Sequence, residues 1–213
     1  MARLVMIGAA GLDWPSFQAM RSTSAIPSLA SLAEGGEARW LTGAPAGRGA
    51  FSPANVSAWT SLATGVPPEV HGLVRESEAW SGGVRPASRA SWRANPVWAR
   101  LQAAGIASGS AGWPAARPGA AWEGLHIDED FAQPTGKGPD DWVLPLDCAP
   151  PQAREALRPL RIHPTQITAK MLAPLVPAIA TIDQSRDARL PRLAVAMARA
   201  SSLQAAAVWL LGQ

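Results

Sequence analysis

The chain has no tyrosine, one cysteine, three phenylalanines and three histidines among its 213 residues. A lone Cys148 rules out an internal disulfide framework and a cysteine-based zinc site. Its setting in LDCAPP, with no neighbouring histidine, argues against a reactive thiol. Lysine is almost missing, Lys137 and Lys170 being the only two among 19 basic residues. The arginines are spread along the chain, so a net charge of +3 and a pI near 10.0 form no basic stripe, and nucleic acid is not an expected partner. One Arg and a short apolar stretch ending at Gly8 lack the length and the cleavage region of a signal peptide. No run approaches the ~20 apolar residues of a membrane helix. A cytoplasmic location without membrane association is expected.

Hydrophobic residues make up 47% and charged residues 16%, the balance of a globular chain. Abundant Ala, Arg, Gly and Pro fit the codon bias of a GC-rich genome. The ten tryptophans stand out. Trp14, Trp59 and Trp98 lie beside expected strand ends or on helix faces, where core packing with a partnered indole N–H outweighs a carbohydrate or base-stacking platform.

Along the chain an α/β rhythm is legible. LVMIGAA, residues 4–10, is a strand that breaks into a glycine turn, with Asp13 the nearest acid and Pro15 placed for a first helical turn. IPSLASLAEGG follows as a helix started by Pro27 and ended by Gly35-Gly36, with Leu29, Leu32 and Ala33 on one face. ARWLTG, residues 38–43, alternates as a strand, and the stretch 43–54 is a loop. NVSAWTSLATG then carries Val56, Trp59, Leu62 and Ala63 at helical spacing, with Asn55 at the N-cap position and Gly65 as the stop. Residues 66–95 are loop-like. NPVWARLQAAG is a helix and IASGSAGWPA a further strand. Residues 114–150, rich in Pro and Gly with acids in HIDEDF and PDDW, form a long irregular excursion of the kind that covers a site. The rest is helical: PPQAREALRPL, HPTQITAKMLAPLV, and a long stretch after Asp187. The expected division is an α/β core over 1–113, a cap-like excursion over 114–150 and a helical segment over 151–213.

The ordered set IGxxGxDW, IPSLASLAEGG, AWTSLATGVPPEVHG, RIHP and ARASSLQAAAVWLL resembles the alkaline phosphatase superfamily, in its type I phosphodiesterase/nucleotide pyrophosphatase-like branch. The ATG-x-x-P-x-x-HG stretch is the most specific part. The resemblance implies an alkaline-phosphatase-like doubly wound sheet with helices on both faces. It also implies a two-metal site, usually zinc, that hydrolyses phosphate esters through a Thr or Ser nucleophile. Paired divalent ions clamp the attacking and leaving oxygens, and a nucleophile at a helix N-terminus adds backbone N–H groups for the phosphoryl oxygens.

Carried over residue by residue, the pattern has gaps. The metal-ligating Asp of the family's first strand corresponds to Ala10, whose methyl group cannot coordinate an ion. Asp13 matches a second acid of that pattern and is the candidate metal residue. Counting back from Thr64-Gly65 puts Asn55 at the nucleophile position, and a carboxamide has no ionisable hydroxyl. Ser52 and Ser57 are displaced from it by two or three residues. Asn55, Val56 and Ser57 remain the expected phosphate-binding residues, at the helix start. The family's D-H-x-x-H and D-H-G ligand patterns are missing. His71 matches a structural position, and neither His126 nor His163 has a partner at zinc-ligand spacing.

Family members are about twice as long, so the resemblance implies a fold incomplete at its carboxyl end, with an exposed sheet edge. Three readings follow: a catalytically silent relative that keeps the anion pocket, an active phosphoric ester hydrolase with a rebuilt site, and a partner-binding module. The first expects no cofactor, and the second a zinc or other divalent pair. The expected partners are a phosphate ester or nucleotide, and a protein chain completing the sheet.

Overall fold

A computed structural model describes residues 4–9, 12–23, 25–37, 56–117, 124–145, 148–184 and 186–213. The chain divides into two compact units, 1–55 and 56–213. Ala10, Ser52 and Asn55, the expected strand 38–43 and the expected loop 43–54 lie outside the described residues.

In the first unit, α1 (Trp14–Ser22) begins where Asp13 and Pro15 place it. The Asp13 carboxylate accepts the Ser16 N–H at 2.7 Å, satisfying a donor that the helix leaves open. Phe17 is the buried residue of α1, and Trp14 stacks on it with ring centroids 5.2 Å apart. The second helix, α2 (Pro27–Gly35), also starts and stops where Pro27 and Gly36 predict. Arg21 and Glu34 form a 3.0 Å ion pair between the two helices. The shared apolar face of α2 does not become a buried one: Leu29 and Leu32 are exposed. Residues 4–9 join no hydrogen-bonded ladder among the described residues, and Leu4, Val5, Met6 and Ile7 are exposed. A strand exists through pairing, which an apolar run does not supply by itself.

The second unit opens with α3 (Val56–Thr64), stopped by Gly65 at φ +70°. Its buried face is Val56, Thr60, Ala63 and Thr64, while Leu62, expected to be apolar core, is exposed. The two threonines can be buried because each hydroxyl donates to the carbonyl four residues back, Thr60 to Val56 and Thr64 to Thr60, both at 2.7 Å. The loop-like span 66–95 has structure of its own. It holds the short helix α4 (Pro68–His71), the antiparallel hairpin of β1 (Ser77–Trp80) and β2 (Gly83–Pro86), and a 3-10 turn over Arg89–Ser91.

Helix α5 (Val97–Ala103) leads to β3 (Gly109–Ala111), which pairs in parallel with β4 (Leu125–Ile127), placing Ser110 opposite His126. At Gly109 a β-carbon would lie 2.7 Å from the Leu125 carbonyl and 2.9 Å from Leu210, so only glycine permits this approach of the strands and the last helix. Strand β4 falls inside the span expected to be an irregular cover. That same span buries Phe131, Ala132, Cys148 and Ala149 in one cluster with Ile127 and Leu157. A three-residue strand between Pro/Gly-rich flanks is too short to show a period, and its burial is decided by the partner strand.

Beyond it lie α6 (Arg154–Leu157), α7 (Ala169–Leu172) and α8 (Arg189–Leu211). HPTQITAKMLAPLV yields only a 3-10 turn at Pro164–Gln166 and the single turn of α7, because Pro164 and Thr168 open new caps and Pro174 limits continuation. The 23-residue α8 lays Leu190, Ala194, Ala198, Ser202 and Ala206 on the core, a stripe narrow enough for close approach. By length and composition alone this helix is apolar enough to cross a membrane, although Arg192, Arg199 and Gln204 interrupt its apolar run. Among the described residues, helices with two small sheets make a mixed α/β structure.

Candidate functional site

Val56 and Ser57 form the first turn of α3, Val56 buried and Ser57 half-buried. Val56 belongs to a cluster with Leu73, Trp92, Trp98 and Ala115. Tryptophans anchor α3: the Trp113 ring meets Trp59 edge-on at 5.3 Å, its indole N–H donates to the Trp59 carbonyl at 3.3 Å, and Trp98 lies 5.3 Å beyond. Packing rather than ligand stacking is the role these side chains take here. Ala115 is held at φ +56°, where non-glycine residues are rare. Its N–H donates to Glu129, which with Asp130 is paired to Arg117 at 2.9 Å each.

The three histidines have separate structural roles. His71 is fully buried at the end of α4, its Nδ1 accepting the Leu73 N–H at 3.1 Å and its Nε2 lying 2.9 Å from Ser61 Oγ on α3. Burial lowers its pKa, while a bond to the Ser57 backbone and the nearby Glu69 draw it back up. His126 sits on β4 with Nδ1 2.9 Å from Ser110 Oγ and its ring 6.1 Å from that of Trp98. Desolvation lowers its pKa to about 4, so this serine–histidine pair has a base too weak to activate a hydroxyl near neutrality. Nothing in the spacing of residues 110 and 126 announces the pair, because strand register brings it together. His163 opens the 3-10 turn at Pro164, with Nδ1 2.8 Å from Thr165 Oγ1, and packs edge-on to Trp142.

Asp13, the candidate metal residue, is exposed and caps α1 through one carboxylate oxygen, and its hydrogen bond from the Ser16 N–H lowers its pKa. Among the described residues no three His, Cys, Asp or Glu side chains gather as a metal site. Asp128 accepts the Asp130 N–H, and Cys148 is buried, its thiol raised to about 12 by burial and then by Asp128. A zinc pair needs several deprotonated donors converging on each ion. The described donors do not fit one.

The described residues define a mixed α/β protein in which a serine- and threonine-bearing helix packs against a proline–histidine turn and a tryptophan cluster. The family model for type I phosphodiesterase / nucleotide pyrophosphatase matches residues 4–188, and the chain belongs to that family. No curated protein and no solved structure matches it.

Proposed function

We propose that this chain is a catalytically silent member of its family that retains a phosphate-binding pocket at the start of α3, formed by Asn55, Val56 and Ser57. The observation that carries the reading is the register of the family's ATG-x-x-P-x-x-HG stretch. Counting back along it puts Asn55 where the resemblance expects a Thr or Ser nucleophile. A carboxamide cannot form a phosphoryl-enzyme ester, whereas asparagine is among the best N-caps and keeps the helix start intact. Ala10 at the expected metal-ligating position and the engagement of Asp13 as a cap support the same reading. The doubly wound sheet belongs to this proposal. So does the cytoplasmic location.

Two measurements test it. Phosphate titration should shift the amide resonances of residues 55–58, and their indifference to phosphate would remove the pocket. Bis(4-nitrophenyl) phosphate with added zinc should release nitrophenol no faster than buffer containing the same zinc. Metal-dependent release that Asp13→Ala or Asn55→Ala changes would establish an active phosphoric ester hydrolase instead.

A further inference from the structure

We infer that His71 is a positioning residue for α3, acting as a neutral imidazole with its proton on Nε2, and that a second proton at Nδ1 releases the helix. This deepens the proposed function, since the first turn of α3 is its phosphate pocket.

The sequence VPPEVHG builds a rigid mount. Pro67 and Pro68 set the entry to α4, and Gly72 ends it at φ +79°. The Gly72 N–H returns to the Pro68 carbonyl at 2.8 Å, and the Arg93 N–H binds the His71 carbonyl at 2.9 Å. At Gly72 a β-carbon would lie 2.9 Å from both Cδ and Nε of Arg93, so the backbone carrying His71 is confined by neighbours as well as by its own turn.

On that mount the imidazole has a defined tautomer. A ring nitrogen that accepts a backbone N–H carries no proton, so acceptance of the Leu73 N–H at Nδ1 places the hydrogen on Nε2. There it faces the Ser61 hydroxyl oxygen at 2.9 Å and the Ser57 backbone. One side chain therefore ties the residue after the α4 turn to two successive turns of α3. The charged groups beside it are Glu69 of α4 and Arg93, whose side chain lies on Gly72. Helix α3 presents serines to it. A proton added at Nδ1 sets N–H against N–H at Leu73, and the buried pair loses its bond. Burial holds the imidazole neutral down to below the ordinary histidine range, so the clamp is closed near neutrality and opens in acid.

The test uses the full 15N-labelled chain. Imidazole spectra at pH 7.5 should show His71 as the Nε2–H tautomer. The Ser57 and Ser61 amide shifts should titrate together with the imidazole, at one apparent pKa below 6.5. His71→Gln, which keeps an N–H donor near the Nε2 position but cannot take a proton, should abolish that titration while leaving the fold intact. The Nδ1–H tautomer, or a pH response at Ser57 and Ser61 that survives in His71→Gln, overturns the inference. Should His71→Gln fail to fold, the wild-type tautomer and the shared pKa decide alone. Sulfate, whose charge is constant over this pH range, separates the two proposals. No sulfate-induced shift at residues 56–58 of the wild type removes the anion pocket, while the tautomer and the titration still judge the clamp.

Discussion

His126 shows how one side chain makes this molecule sensitive to acid. Its imidazole is 4% exposed and titrates near about 4 in the folded chain, against an ordinary value of 6.5. The folded state therefore binds fewer protons than the unfolded state wherever the pH lies between those values. The sign follows: the stabilisation is fully present above pH 6.5, falls as the pH drops toward 4, and changes no further below it. The amount is on the order of 3 kcal/mol at about 1.4 kcal/mol per pKa unit. Urea midpoints at pH 7 and 4.5 should differ in that direction, and His126→Asn should flatten part of the difference. His71 shifts in the same direction, so a remainder is expected in that variant. A midpoint equal at both pH values would contradict the burial of these rings.

At the scale of elements, α8 depends on a single polar residue in its buried stripe. The Ser202 hydroxyl donates to the Ala198 carbonyl at 2.8 Å and accepts the Ile162 N–H at 2.9 Å, so it pins the segment before Pro164 to the helix. Ser202→Ala removes the acceptor and leaves the Ile162 N–H unpaired beside the helix, a loss of roughly 1–3 kcal/mol. Chemical denaturation should register it, with hydrogen exchange at Ile162 accelerating most. Ser202→Thr keeps the acceptor but adds a methyl group to a fully buried position, and should be destabilised by overpacking instead. In α3 the same logic protects Thr60 and Thr64, whose hydroxyls are satisfied within the helix and need no partner from elsewhere.

For the whole molecule, family membership and the donor set point in different directions. The family match spans residues 4–188, yet Asp13, Asp128, Glu129, Asp130 and the three histidines are engaged as caps, ion pairs or hydrogen-bonding groups. After dialysis against trace zinc, the folded chain is expected to hold well under one equivalent. Stoichiometric zinc would mean that a site has been rebuilt, and the hydrolase reading would replace the silent one.

What the sequence determined by itself is mainly local. Asp13 with Pro15, Pro27 with Gly36, and Gly65 mark helix ends because capping and backbone restriction act within one turn of chain. The ATG-x-x-P-x-x-HG stretch carried the family for the same reason: its residues build one helix stop and one turn. The pairings were left to the tertiary structure. Strand β4 exists because β3 lies beside it, Ser110 meets His126 through their register, and Ser202 reaches Ile162 across 40 residues. The face of α3 turned inward is also a tertiary outcome. Helical spacing alone favoured Leu62, whereas threonines able to satisfy their own hydroxyls share the buried side with Val56 and Ala63. Short strands and polar core contacts leave no period in a sequence, since their stability comes from partners distant along the chain.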